Sequence, residues 1–492
     1  MRTAIVLGLA MTLKMGQTPT PALHVQDGWG REIDSRGITL LDWEGHLANP
    51  AVKLRVELPE GTEFPAQLYV HGTSHRLHFD RSDEEDRYGI AKRIVLPKPV
   101  KSVDILVSIF PDRDDKSENH ELIFQLFGPD RLERTRMRMP VRVIDQDPRS
   151  WKPLHPIHID YSQDKTGYFR DQKVRKVLRL AADDWAYFID QKTDPVPARS
   201  ETSTIWNPDG YKTSYPIVNR RPYTGYLLYV YGITHEENRA GGSPSLVGKP
   251  QTLSGRELSI RRSGSVEFDV TGNWNRLGWF LSEGDDDWWV SGNLRAERSD
   301  LYSIAVHEFG HAFAFEGTYP AVGRAKATGN GLAGEALREY LGQSPKIDAS
   351  DHLVGITDPV SHYGGYGREF QGNMKARRWL LTKTHLLCLE AIGYKIRRTT
   401  AFEGLKVSPA TWDWQAGRAV RERINARGGV PDYFFRVVDG RLPEGVSLDS
   451  FTGEMSGVPS VAGSYDATVE ADDNDPTTSA VSTRVRIEVR GE

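Results

Sequence analysis

The chain has 492 residues, too many for a single core, so about three domains are expected. A hydrophobic content of 38% with 12 tryptophans excludes a disordered chain, and a net charge of −4 gives no electrostatic case for nucleic acid. The single cysteine, Cys388, excludes an internal disulfide framework, and its apolar surroundings mark it as a buried small residue rather than a nucleophile.

Residues 1–22 read as a signal peptide. Arg2 precedes the apolar run Ala4–Leu13, which is too short to span a bilayer, and Thr20-Pro-Ala22 offers a cleavage site. No other stretch is apolar enough to cross a membrane, so the expectation is a secreted or cell-envelope protein. Residues 23–148 then read as all-β. Val52–Leu58, Ile94–Leu96, Val103–Phe110 and Leu122–Phe127 are strands separated by Pro, Gly and Asp clusters, as in an Ig-like sandwich. The acidic loops Asp83–Asp86 and Asp112–Asp115 have the composition of calcium ligands without a recognisable ligand order, so they read as solvated loops.

Residues 149–400 change to mixed α and β. His155–Tyr161 and Gly225–Tyr231 are strands, and between them Val174, Val177, Leu178, Ala181, Trp185 and Phe188 recur at helical spacing. Val266–Val270 alternates, which predicts an edge strand beside a cleft where an extended peptide adds by backbone pairing. Gly241-Gly242 has no strand–helix context for phosphate, and Trp288-Trp289 reads as packing.

The segment Asp300–Gly317 carries the chemistry. Asp300 suits an N-cap, Gly317 a left-handed stop, and Tyr302, Val306, Phe309 and Phe313 form an apolar stripe between them. His307 and His311 are four apart, so both rings project from one face, with Glu308 on its edge. A zinc ion takes neutral imidazole nitrogens at about 2.0–2.1 Å, and an i, i+4 pair supplies two without bending the helix. Glu308 then lies close enough to act as a general base. The bland alternative is a helix with two solvent-facing histidines. A third ligand must come from downstream, where His352, His362 and Glu335 are candidates. Glu316 follows His311 by five residues and points about 140° away from it.

These residues resemble the metzincin branch of zinc peptidases, whose motif extends to H-E-x-x-H-x-x-G-x-x-H. Here Ala314 and Gly317 occupy the last two places, so the short form is absent. Leu381–Tyr394 resembles the closing helix of that branch, and the arrangement is similar to leishmanolysin-type enzymes, in which an insertion separates the second and third histidines. Asp358–Gly364 resembles the methionine turn, with Val360 where methionine is expected; Met374 is the other candidate for that turn. The resemblance implies a zinc endopeptidase acting on protein or peptide substrates. A turn at Val360 favours His352 as third ligand, and a turn at Met374 favours His362. The reading adopts His352, with Glu335 as the ligand of a gluzincin-like variant.

From Phe402 the chain returns to β. Gly428–Val437, Asp439–Asp449, Thr452–Pro459 and Ala462–Tyr465 form a strand–turn series resembling the Ig-like module of bacterial surface and secreted proteins. Asp472–Asp475 reads as a solvated hairpin tip, with calcium a less supported use. The whole is expected to be multidomain: a central α+β zincin-like metallopeptidase domain (149–400) flanked by N-terminal (23–148) and C-terminal (401–492) all-β Ig-like sandwich domains. One catalytic zinc is expected on His307, His311 and a downstream histidine. The flanking modules would bind surface proteins or glycans. The competing class is a zincin-fold adhesion protein of the cell surface without turnover.

Overall fold

The computed structural model describes residues 22–79, 91–200, 202–206, 213–234, 240–244, 251–253, 256–258, 261–271, 279–281, 299–354, 356–361 and 378–491. Residues 1–21, the loop Asp83–Asp86, Trp288-Trp289, His362 and Met374 fall outside them. The described chain is mostly β, and no described helix is long and apolar enough to cross a membrane.

Nine strands build the N-terminal unit: β1 (His24–Gln26), β2 (Ile38–Asp42), β3 (Val52–Glu57), β4 (Ala66–Gly72), β5 (Leu77–Phe79), β6 (Ala91–Leu96), β7 (Ser102–Ile109), β8 (Glu118–Phe127) and β9 (Glu133–Asp145). They form a sheet of order β1-β3-β7-β5 and a second of order β2-β9-β8-β4-β6, with β2 parallel to β9. Alternation sets the inner faces. In β3, Val52, Leu54 and Val56 are buried while Lys53 and Arg55 are exposed. Leu54, Val56, Leu68, Val70, Val107, Phe124 and Val141 close one core between the sheets.

The middle unit is built on β10 (Ile157–Asp160), α1 (Gln172–Phe188), the hairpin β11 (Thr202–Trp206) and β12 (Ser214–Val218), β13 (Tyr226–Ile233), β14 (Ala240–Pro244), the hairpin β15 (Gln251–Leu253) and β16 (Arg256–Leu258), β17 (Ser263–Asp269), and helices α2 (Leu301–Phe313), α3 (Pro320–Thr328), α4 (Glu335–Leu341) and α5 (Lys383–Ile392). Its sheet has the order β10-β13-β17-β14, with β14 antiparallel to β17 and the other pairs parallel. Every residue of β13 is buried, as expected for a strand covered on both faces. Tyr226, Leu228 and Val230 pack in the core with α1 and α2. Leu227, Tyr229, Tyr231 and Ile233 form a second cluster with Ile205 of β11 and Tyr223.

The edge-strand expectation for Val266–Val270 is corrected here. β17 is interior, and the edge is β14, which contains Gly241-Gly242 and lies along α2. A glycine-rich strand carries little β-propensity, so its pairing was hidden from pattern reading.

The N-terminal and middle units share a core. Trp43, Leu47, Ala48 and Phe110 join the cluster formed around α1 and α2, and Ala48 N–H donates to Leu381 O at 2.7 Å. Beneath it lies a buried polar network. Asp184 of α1 accepts from the Tyr302 hydroxyl and the Arg113 guanidinium and lies 3.1 Å from His46 Nδ1. The Arg113 charge and these hydrogen bonds hold the Asp184 carboxyl down at about 2 despite its burial.

The C-terminal module pairs Ala410–Gln415, Val481–Arg490, Gly463–Asp472 and Phe434–Gly440 in one sheet and Val420–Arg423, Glu454–Gly457 and Val446–Leu448 in another. Trp414, Phe435, Met455, Val469 and Ile487 lie in its core. It docks on the N-terminal sandwich. Arg31 donates to Ser450 O and Tyr433 O and stacks over the Phe451 ring at 3.9 Å, Trp29 Nε1 donates to Asp472, and Thr39 bonds Asp432. Asp473 and Asp475 are 6% and 8% exposed, so Asp472–Asp475 is not a solvated tip. Asp473 accepts from Val430 N, Asp475 N and Thr478 Oγ1, and Asp475 from Thr477 N. The carboxylates organise this loop locally, as Asx turns do.

Candidate metal centre

α2 is fixed at both ends. The Asp300 carboxylate accepts from Ser303 N at 3.2 Å, as the N-cap pattern predicts, and also takes both Nε and Nη2 of Arg378 at 2.9 Å. The helix stops at Phe313, earlier than a stop at Gly317 requires. The cause is local: Phe315 N turns back onto Gly310 O, which brings Phe315 O onto Nδ1 of His311. Tyrosine hydroxyls satisfy the last carbonyls, Tyr226 and Tyr319 at Ala312 O and Tyr394 at Phe313 O.

Three imidazoles converge above this helix. His307 Nε2 lies 3.1 Å from His311 Nε2 and 3.3 Å from His352 Nε2. The three ligand atoms all fall within 4.8 Å of one another. Both helical histidines are buried, and burial pushes His311 down to about 4 and His307 well below its ordinary range, with His311 and His352 adding to the shift at His307. The rings are therefore neutral near pH 7, the form that ligates metal. Because His311 Nδ1 is committed to Phe315 O, its Nε2 lone pair faces the cluster.

His352 reaches the cluster through a tight return. Lys346–Ile347 pairs antiparallel with Leu353–Val354, and between them Asp351 adopts a left-handed φ of 66°. Asp348 Oδ1 accepts from Ser350 N and His352 N and lies 3.6 Å from His352 Nδ1. Asp351, the residue before His352, pairs instead with Lys326 Nζ at 2.6 Å. Glu308 is half-buried beside His307. Glu335 is exposed at the start of α4 and Glu316 bonds Thr318 N, so neither joins the cluster.

Two residues around the centre had no sequence signal of their own. Trp379 packs on His307 with ring centroids 5.1 Å apart, and its backbone N–H donates to Ser303 Oγ at 2.7 Å. Asp358 is 1% exposed and accepts from Tyr340 OH, Val360 N, Ser361 N and Thr384, which fixes the turn at Val360. Elsewhere, Asp42, Asp112 and Asp145 converge, but Arg76 pairs with Asp42 and with Asp112 (2.6 Å) and supplies the counter-charge. His24, Glu32 and Asp34 make a largely exposed group in which His24 Nδ1 bonds Asp34 at 2.8 Å.

Comparison with known proteins bears on the C-terminal module. Residues 404–488 match the family described as "Putative Ig domain", so the chain ends in an Ig-like domain. No curated protein matches the chain significantly. Among solved structures, one described as "a putative alpha-galactosidase" from Bacteroides fragilis shares 27% identity over 18% of this chain and 18% of its own, with a TM-score of 0.16. The chain thus spans less than a fifth of that relative's length. The PapD-like domain 7 of human CEP192 is similar over 30% of this chain and 98% of its own at 8% identity and a TM-score of 0.17. A protein of unknown function from Porphyromonas gingivalis is similar over 41% and 80% at 11% identity and 0.17.

Proposed function

We propose that this chain is a zinc-dependent endopeptidase whose middle unit is zincin-like and whose ion is held by His307, His311 and His352. The observation that carries the reading is the spacing of the three Nε2 atoms. Tetrahedral zinc with bonds of about 2.0–2.1 Å places its ligand nitrogens about 3.3–3.4 Å apart. The separations of 3.1 and 3.3 Å from His307 Nε2 come close to that spacing. Three imidazoles, two of them buried and held neutral, fit the donor preference of zinc and leave a fourth position for substrate or water.

Zinc bound there would supply Lewis acidity, lowering the pKa of a water and polarising a substrate carbonyl. The chain's own residues supply the rest. Glu308 follows His307 directly on α2, so its carboxylate takes the proton of the attacking water and delivers it to the leaving amine. Phe315 O holds the His311 ring through Nδ1, and the Asp348 carboxylate lies beside Nδ1 of His352. Among the described residues no strand pairs with the outer edge of β14 beside α2, and an extended peptide adds there as a further strand. Such an enzyme would act outside the cytoplasm if residues 1–22 direct export. Its Ig-like module would then fit contact with surface proteins or glycans.

The test is Glu308→Gln. Glutamate is not a ligand, so the variant should keep about one zinc per chain and lose peptide hydrolysis by several orders of magnitude. Equal hydrolysis by parent and variant would remove Glu308 from the mechanism. Bound zinc with no hydrolysis in either form would favour the adhesion reading.

A further inference from the structure

The sheet of the middle unit has two edges. β14 lies along α2, while β10 ends the opposite side, and among the described residues no strand pairs with its outer edge. A groove of about 630 Å³ follows that edge past Ile159, Asp160 and Tyr161. Arg175 of α1 closes one wall, its guanidinium 4.8 Å from the Tyr161 ring, and Arg220 and Arg221 with Tyr223 form the other.

The groove is cationic by construction. Among the described residues no carboxylate pairs with Arg175, Arg220 or Arg221, whereas Arg55, Arg134, Arg136 and Arg138 of the N-terminal sandwich each have one. Asp160 is the single acid among the lining residues, and it accepts from Ser162 N at 2.7 Å. The loop carrying the two arginines is held firmly. Asn219 is 1% exposed, donates to Pro197 O at 2.7 Å and Arg221 O at 2.9 Å, and accepts from Ser200 N at 3.0 Å. Unpaired charges on a fixed loop beside an open sheet edge form a recognition surface with two requirements: backbone to pair and negative charge to neutralise.

We propose that this groove docks an acidic peptide segment in extended conformation, which adds to the outer edge of β10 and turns alternate carboxylates towards the arginines. A strand presents every second side chain to one face, so a sequence alternating Glu or Asp with apolar residues meets both requirements. The site lies at the far edge of the sheet from β14 and α2, and the proposal stands independently of zinc.

The experiment is fluorescence anisotropy of the full chain with a labelled peptide of alternating glutamate and valine, beside its glutamine counterpart. The glutamate peptide should bind saturably and weaken as salt rises, and the glutamine peptide should bind at least about tenfold more weakly. Arg220→Glu with Arg221→Glu should cost at least about tenfold in affinity at an unchanged melting temperature, because both side chains are exposed. N-methylation of the peptide backbone should abolish binding. Equal binding of the glutamine peptide, unchanged affinity in the double variant, or binding of a sulfated oligosaccharide without binding of the peptide would each overturn the proposal.

Discussion

The Trp379 indole stands 65° from the plane of the His307 imidazole with ring centroids 5.1 Å apart. It reaches that place because Arg378, its chain neighbour, is clamped on the Asp300 carboxylate at the start of the same helix. A buried ion pair at one end of α2 thus sets the wall behind one of the three histidines.

Replacing Trp379 with Ala should therefore loosen His307 as well as cost packing. An 8% exposed tryptophan truncated to alanine removes about 3–5 kcal/mol of stability. Trp379→Phe keeps a ring against the imidazole and should cost less. Urea unfolding of the chelated proteins measures the first effect and zinc competition the second. Full zinc affinity in Trp379→Ala would show that the indole only packs.

Arg378 is 2% exposed and Asp300 1%, so neither charge is solvated if its partner is lost. Arg378→Met should cost about 3–5 kcal/mol, more than the roughly 1 kcal/mol typical of a lost N-cap. Adding Asp300→Asn neutralises the stranded carboxylate and should recover part of that loss. A double variant less stable than Arg378→Met alone would contradict this account of the pair.

How much of this could be read from the sequence follows from range. The His307–His311 pair, its helix and its Asp300 cap rest on local period, and the same holds for α1 and for the alternating strands of the sandwich. The stop at Phe313 depends on the Phe315 carbonyl, a contact that residue type does not announce. The carboxylate that lies beside His352 depends on a left-handed Asp351, which turns its own side chain towards Lys326 and leaves Asp348 by the ring. Sheet order was the least legible feature, because β14 pairs through backbone and carries glycines where a strand pattern needs apolar side chains. The buried Asp473 and Asp475 show the same limit: an acidic run reads as solvated until its backbone partners are known.

Acid should weaken the metal-free protein. Burial pushes His155 down to about 3 and His46 to about 4, while their values in the unfolded chain stay near 6.5. Between those limits the unfolded chain binds protons that the folded chain does not, so stability falls as pH drops from about 6.5 towards about 4. Each such group contributes up to about 1.4 kcal/mol per pH unit inside its window. Asp147 works in the opposite sense. Burial lifts its carboxyl to about 7, so the folded chain holds a proton the unfolded chain has lost and gains stability as pH falls towards about 4. His155→Phe isolates the histidine term: urea unfolding at about pH 7, 6 and 5 should show a flatter acid limb than the parent. An unchanged slope would mean His155 is not held neutral.

The most direct measurement is the zinc affinity of His352→Ala against the parent, by competition with a chromophoric chelator. Losing an outer partner of a zinc ligand costs about 10–100-fold, and losing a ligand costs more. The account predicts about one tightly bound zinc in the parent, a loss exceeding about a hundredfold in His352→Ala, and little change in Glu335→Ala or His362→Ala. Parent-like affinity in His352→Ala would contradict it, and a matching loss in His362→Ala or Glu335→Ala would identify the third ligand instead.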